Sequence, residues 1–185
     1  MSSRALYALV FLINTAFGLY TAAVMLRFLL QWMRADFYNP VCQAIVKLTN
    51  PPLLPLRRII PGWRGLDFAA VVLVVILQII NVALVLVIVG GFPDPLDLAW
   101  WTLLKIIFLL VNLYFVTVLV EAILIWTNPS HRNPIAGLLW SINAPLLQPA
   151  RKLIPPLGGL DLSPLVVLIL LQVVNILLPL QWPLR

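Results

Sequence analysis

The sequence contains few charged side chains. They make up only 10% of its 185 residues, whereas an ordinary soluble domain has roughly 25%. Hydrophobic residues make up 63%, so too few polar side chains remain to cover a soluble core of this size. This scarcity excludes an ordinary soluble domain and indicates that much of the surface faces lipid.

Cysteine and histidine are almost absent. Cys42 is the only cysteine and His131 the only histidine, so the chain cannot form an internal disulfide, and a metal or haem site within it is disfavoured. The sequence also shows no Ser-His-Asp grouping, Gly-rich phosphate loop or paired carboxylates. We therefore predict a protein that is not an enzyme, with no cofactor, no catalytic residues and no metal ligands.

Long apolar runs are the dominant feature. They are continuous and about as long as the 20 or so residues that cross a bilayer as a helix, unlike the short alternating strands of a membrane barrel. The first is too long for a signal-peptide core and lacks an early cleavage site, so we expect it to be retained. We predict an all-α membrane protein with four transmembrane helices, at about residues 6–33, 68–89, 98–126 and 163–180.

The chain repeats itself at an offset of 94 residues. Tyr20 recurs as Tyr114, and NPPLLPLRRIIPGWRGLD at 50–67 recurs as NAPLLQPARKLIPPLGGLD at 143–161, with Gln148 as an apparent insertion. Self-similarity at a fixed offset is the signature of a repeat architecture. We predict one membrane domain over 1–185 with two parallel repeats, 6–90 and 98–180, each consisting of a helix, an amphipathic connection and a second helix.

The distribution of charge predicts the orientation in the membrane. The connection at 34–66 carries five basic residues and one acid, that at 128–160 carries three basic residues and no acid, and the short turn at 90–98 carries two acids and no basic residue. The net charge of +6 therefore follows the positive-inside rule and does not indicate nucleic-acid binding. We predict that both connections are cytoplasmic and both termini periplasmic.

Both connections are too apolar to be free loops. Asn39 and Asn133 are good N-caps, each followed by a proline (Pro40, Pro134) suited to a first helical position, and the next apolar residues recur at helical spacing. We predict amphipathic helices in the headgroup layer on the cytoplasmic side. The prolines within the connections should break these helices, at Pro51, Pro52, Pro55, Pro145 and Pro149.

The end of each connection should re-aim the chain into the bilayer. Gly65 and Gly159 permit the turn because glycine tolerates positive φ. Asp67 and Asp161 follow two residues later, where a carboxylate can cap the next spanning helix.

Several motifs make the chain resemble the YggT family, called YlmG in other lineages. They are FYNP at 37–40, LRRIIP at 56–61, GLDF at 65–68 and GGLDLSP at 158–164, and the resemblance covers essentially the whole chain. It implies a small bacterial inner-membrane protein with no established enzymatic activity. Members of the family have been connected with osmotic-stress tolerance and ion uptake, with cell division, and with haem attachment to a cytochrome b. The resemblance implies a role of one of these kinds.

Two ionisable residues occupy equivalent positions in the first and third spans. Arg27 and Glu121 lie 94 residues apart, and an unpaired charge within a span costs at least about 2.5–3.5 kcal/mol near its centre. They could pair across the pseudo-twofold axis, or Arg27 could reach the headgroups because it lies about 10 Å from the cytoplasmic end of its helix. A transport site is the third alternative.

Other intramembrane polar residues form a Gln-x-x-Asn in each repeat. Spacing of three places Gln78 with Asn81, and Gln172 with Asn175, on one helix face. They could hydrogen-bond between helices or line a polar path. We expect Lys105, near the outer end of its span, to reach the interface or to contact Asp97.

A basic pair follows the amphipathic part of each connection. Arg57 with Arg58, and Arg151 with Lys152, suit anionic lipid headgroups or an acidic partner protein, or serve only as topology signals.

We interpret the chain as a non-enzymatic protein of the bacterial inner membrane that assembles or organises membrane proteins through its cytoplasmic face. Its expected partners are membrane lipids with anionic headgroups and a membrane protein or a second copy of the chain, and nucleic acid is excluded. The alternative is a small ion channel or transporter. It would have to be oligomeric, because four helices leave little room for a pore in one copy.

Overall fold

The computed structural model describes residues 3–35, 38–62, 65–127, 134–154, 161–180 and 182–184. These residues form helices and connecting turns without a β-strand. In chain order the helices are α1 (Ser3–Trp32), α2 (Pro40–Ile59), α3 (Phe68–Val89), α4 (Pro95–Thr127), α5 (Pro134–Leu153) and α6 (Ser163–Leu177).

Three of these helices are long and apolar enough to cross a membrane. They are α1 with 30 residues, α3 with 22 and α4 with 33. The predicted fourth span, 163–180, contains a shorter apolar helix, α6, of 15 residues, which ends before Pro179. A proline disfavours helical geometry in the residue before it, and Leu178 is accordingly extended.

The predicted breaks in the connections are wrong. α2 continues through Pro51, Pro52 and Pro55, and α5 continues through Pro145 and Pro149. A proline inside a helix leaves the carbonyl four residues earlier without its usual donor. Pro52 does this to the carbonyl of Leu48, and the hydroxyl of Tyr20 in α1 donates to that oxygen at 3.5 Å. Neighbouring side chains can therefore support a helix that contains prolines.

The repeat has no insertion. α2 and α5 each contain 20 residues and begin and end 94 residues apart. Leu53 and Leu147, which share that offset, are both completely buried. Gln148 therefore aligns with Leu54, and the constant offset extends through both connections.

The helices pack as two similar units. α1 packs along α3 and α4 along α6, while α3 and α4 join the two units. α2 lies against α1 and α3, and α5 lies against α4 and α6. One buried cluster connects α1, α2 and α5, with Leu29, Leu30, Cys42, Leu138 and Ile142 as members. Both amphipathic helices are therefore held against the ends of the long helices.

Local polar bonds fix several helix starts. The side chain of Asn39 accepts from the Val41 N–H at 2.9 Å, and Pro40 is the first residue of α2. Asp67 caps α3 by accepting from the Ala70 N–H at 3.3 Å, after a turn in which Gly65 has a φ of 84°. Pro134 begins α5, whereas the expected cap Asn133 and turn residue Gly159 lie outside the described residues.

Candidate functional site

Arg27 attaches α1 to α2 instead of pairing with Glu121. Its side chain is only 4% exposed, and its Nη1 donates to the hydroxyl of Thr49 at 2.7 Å and to the carbonyl of Val46 at 3.3 Å. The Thr49 hydroxyl in turn donates to the Ile45 carbonyl at 2.7 Å. Of the three alternatives, the ion pair across the pseudo-axis is therefore not formed.

Arg57, near the end of α2, attaches that helix to the start of α3. Its Nη2 lies 2.5 Å from Oδ2 of Asp67, the cap of α3. Asp67 is buried while Arg57 remains about one-third exposed. We call Arg27, Thr49, Arg57 and Asp67 the first-repeat cluster, and it connects α1, α2 and α3.

Glu121 has an equivalent position in the second unit. Its side chain is 2% exposed, and its Oε2 accepts from Nδ2 of Asn143 in α5 at 2.7 Å. The oxygen of the Asn143 amide accepts from the hydroxyl of Thr117, also in α4, at 2.8 Å. Two bonds from one asparagine therefore hold α5 to α4.

Arg151 connects Glu121 with the start of α6. Its Nη2 lies 3.5 Å from Oε1 of Glu121, and its Nε lies 2.8 Å from Oδ2 of Asp161. Asp161 also accepts from the Ser163 N–H at 2.9 Å. The N-cap of α6 is Leu162, which makes no side-chain cap bond, so the prediction that Asp161 caps this helix is wrong. Partial burial opposes ionisation of Asp161, but the bonds from Arg151 and Ser163 prevail and lower the pKa of its carboxyl. We call Glu121, Asn143, Arg151 and Asp161 the second-repeat cluster.

The two clusters occupy equivalent positions but differ in charge. Each residue of the first-repeat cluster has its counterpart 94 residues later. With the carboxyls ionised, the first has two guanidinium groups and one carboxylate, whereas the second has one guanidinium and two carboxylates. The sum of charges is therefore positive in the first and negative in the second.

A cavity of about 380 Å³ opens beside the first-repeat cluster. Its polar wall contains Arg27, Arg57, Asp67 and the amide of Gln31, and Val46 and Gly62 complete the lining. The remaining basic residues of the two pairs, Arg58 and Lys152, are exposed and do not line this cavity. It is thus a cationic recess between α1, α2 and α3.

Lys105 neither reaches the interface nor contacts Asp97. It is 4% exposed, and its Nζ donates to the side-chain oxygen of Asn14 at 2.6 Å and to that of Asn81. The Asn14 amide also donates to the Pro183 carbonyl at 2.8 Å. The prediction failed because the partner amides on α1 and α3 lie far away in sequence.

The two Gln-x-x-Asn motifs are not equivalent in the structure. Gln78 is fully buried and its amide donates to the hydroxyl of Thr21 at 2.7 Å. Gln172 is exposed, and the counterpart of Thr21 is a phenylalanine, Phe115, which offers no hydrogen-bond partner. Asn175 instead pairs with Asn112 through two hydrogen bonds between their side-chain amides, at 3.3 and 3.4 Å.

Sequence reasoning missed Thr49, Asn143, Thr21 and Asn14 as partners of the intramembrane polar residues. One signal could have found Thr49 and Asn143, since they are polar residues at equivalent positions of the two connections. Within the described part of the chain, no group of three or more His, Cys, Asp and Glu side chains could hold a metal ion. The chemistry of the site is therefore that of ion pairs and hydrogen bonds.

The CCB3/YggT family model matches the chain twice, over residues 6–88 and 100–182. An uncharacterized protein of Pseudomonas aeruginosa is 42% identical over 174 residues, covering 92% of this chain and 87% of that protein. The uncharacterized protein YggT of Escherichia coli K12 is 40% identical over 167 residues, covering 90% and 87%. A Vibrio alginolyticus protein is 41% identical over 170 residues, covering 91% of each. No solved structure matches the chain.

Proposed function

The chain belongs to the CCB3/YggT family, and from that premise we propose that it is a non-enzymatic, multi-pass protein of the bacterial inner membrane that assembles or organises other membrane proteins. In this proposal α1, α3, α4 and α6 span the bilayer. α2 and α5 lie in the cytoplasmic headgroup layer and present the surface that partners contact.

The observation that carries the proposal is how the buried ionic side chains of α1 and α4 are used. Arg27 bonds to α2, and Glu121 bonds to α5 and to Arg151. Charges that served a transport path would face a continuous cavity through the bundle, whereas these hold two amphipathic helices in fixed positions. The spans thus act as a support for α2 and α5.

The exposed side chains of α2 and α5 suit a position in the headgroup layer. Both helices have large apolar side chains that the core does not cover, and both have exposed basic residues beside them. The apolar group contains Leu48, Leu54, Ile59, Trp140 and Leu153, and the basic group contains Lys47, Arg58 and Lys152. Such a surface can contact lipid headgroups and a neighbouring membrane protein together.

Photo-crosslinking in living cells tests the organising role. A photoreactive amino acid at Lys47 or Lys152, both exposed, should capture the same membrane protein. Ile80 in α3, which is 48% exposed, is the matched control and should capture none. Equal capture from Ile80, or no protein captured from α2 and α5, would contradict the proposal.

Reporter fusions after residue 185 test the orientation. A reporter active only in the periplasm should work there, and one active only in the cytoplasm should remain silent. The reverse result would place the basic connections on the periplasmic side.

An oligomeric ion channel or transporter is the second candidate, and one observation favours it. The buried ammonium of Lys105 has two amide oxygens as partners, and no ion pair with a carboxylate is found for it among the described residues. An unbalanced cation inside a span is typical of ion pathways. Ion flux through the purified protein in liposomes, abolished by Lys105→Met or Glu121→Ala, would favour this candidate.

A further inference from the structure

We propose that the cationic cavity of the first repeat binds a phosphate group, carried either by an anionic lipid headgroup or by free inorganic phosphate. The cavity is the recess of about 380 Å³ that Arg27, Gln31, Arg57 and Asp67 line. Its binding chemistry goes beyond the organising role and does not depend on it.

The charge of the cavity is unbalanced. Arg27 and Arg57 are two cations on one cavity, and Asp67 is the single anion. Asp67 is already engaged, since it contacts Arg57 at 2.5 Å and accepts from the Ala70 N–H at 3.3 Å. One positive charge remains, and Arg27 is only 4% exposed. An anion is held more strongly beside a buried charge than at an open surface.

The two arginines of the cavity have more N–H donors than their contacts within the protein use. A guanidinium has five N–H donors in a planar fork that matches the oxygens of phosphate. The bonds of Arg27 to described residues use Nη1, and those of Arg57 use Nη2. The other N–H groups of both side chains are left for a ligand, and the Gln31 amide lies on the same wall.

The second repeat has an anion at the equivalent position. There the residue equivalent to Arg27 is Glu121, whose carboxylate accepts from Asn143 and lies 3.5 Å from Arg151. The second repeat therefore has a second carboxylate near its guanidinium, at the position where the first repeat has Arg27. The counterpart of Gln31 is apolar Ile125, which offers no donor. In the first repeat Asp67 is the single carboxylate for two guanidinium groups, and an external anion would balance the second.

The size of the cavity agrees with this occupant. Small-molecule sites commonly have volumes of about 300–1,000 Å³, and the cavity has about 380 Å³. That volume admits a phosphate with part of a glycerol headgroup.

The test measures thermal unfolding of the purified full chain in an uncharged detergent. One arm adds inorganic phosphate, and another adds phosphatidylglycerol. Diacylglycerol with the same acyl chains is the phosphate-free control. Stabilisation by inorganic phosphate identifies free phosphate as a ligand. Stabilisation by phosphatidylglycerol alone, with no response to inorganic phosphate or diacylglycerol, identifies a lipid headgroup. A response to neither phosphate source overturns the proposal.

Two variants locate the site. Arg27→Glu with Thr49→Asn reproduces the pair that already folds in the second repeat, and it should weaken phosphate binding by at least about tenfold. Arg58→Gln removes an exposed neighbouring cation outside the cavity and should change affinity by less than about twofold. Undiminished binding by the double variant, provided that it unfolds cooperatively, would overturn the assignment. So would an equal loss in both variants, because binding would then follow overall charge.

Discussion

Asn143 donates to Glu121 at 2.7 Å, and at the equivalent place in the other repeat Arg27 donates to Thr49 at the same distance. The direction of the bond is reversed: the long helix accepts in the second repeat and donates in the first. The two bonds join equivalent pairs of helices, α4 with α5 and α1 with α2. Both repeats therefore attach the amphipathic helix to the long helix in the same way, but with charges of opposite sign.

Glu121 should be energetically coupled to Asn143 and independent of Arg27. A double-mutant cycle in chemical or thermal unfolding should give a coupling of about 0.5–3 kcal/mol for Glu121→Gln with Asn143→Ala, because contacting residues do not act additively. Arg27 and Glu121 share no partner, so their cycle should be additive within about 0.5 kcal/mol. Strong coupling between Arg27 and Glu121 would indicate that they form an ion pair and would contradict the separate contacts that the structure gives them.

Lys105→Met should destabilise the protein by about 1–3 kcal/mol, since it leaves the buried oxygens of Asn14 and Asn81 without their donor. The same change at an exposed cation, Arg58→Met, should stay within about 0.5 kcal/mol. The free energy of unfolding in detergent measures both. Equal effects would mean that Lys105 reaches water.

Thr21→Val should cost about 1–3 kcal/mol, because the amide of Gln78 would then be buried without its partner. Replacing both residues, Thr21→Val with Gln78→Leu, should recover much of that loss, since no polar group is left unpaired. Gln172→Leu is the matched control in the other repeat and should change stability by no more than about 0.5 kcal/mol. A double variant less stable than Thr21→Val would contradict this account.

Asp161 should make stability depend on pH in the acid range. The pKa of its carboxyl is lowered from the ordinary value of 3.8, so folding favours the ionised form. The stabilisation is therefore complete above the unfolded pKa, near 3.8, and is lost as the pH falls through the lower pKa of the folded state. Thermal unfolding between about pH 2.5 and 6 should show this loss, and Asp161→Asn should reduce the slope. An unchanged slope in the variant would assign the effect to other carboxyls.

The repeat and the unit of helix, connection and helix could be predicted because they depend on local patterns and on one constant offset. The equivalence of Arg27 and Glu121 follows from that offset too. Their pairing does not, because symmetry relates two positions without bringing them to the axis. Their actual partners, Thr49 and Asn143, are common residues whose role depends on how α2 and α5 pack.

The continuous helices α2 and α5 were not predictable from their prolines alone. The rule that proline ends a helix assumes that the freed carbonyl has no other donor, and Tyr20 is such a donor for Leu48. The position of Lys105 was predicted wrongly for a similar reason. Its place near the end of α4 suggested that its ammonium reaches the membrane interface, but its partners Asn14 and Asn81 lie on other helices. In both cases the deciding contact is distant in sequence.

The unequal lengths of the helices that are proposed to span the bilayer would have a consequence for the bilayer itself. At about 1.5 Å per residue, the 33 residues of α4 extend about 50 Å and the 15 residues of α6 about 22 Å, whereas the hydrocarbon layer is about 30 Å thick. A long helix is accommodated by tilting, and a short one draws the lipid layer inward. With α6 across the membrane, lipids beside the second repeat should be compressed, while those beside the 22-residue α3 should keep their ordinary thickness. The bilayer around the protein would then be thinner on one side than on the other, and membrane proteins with short spans would associate with the thinner side.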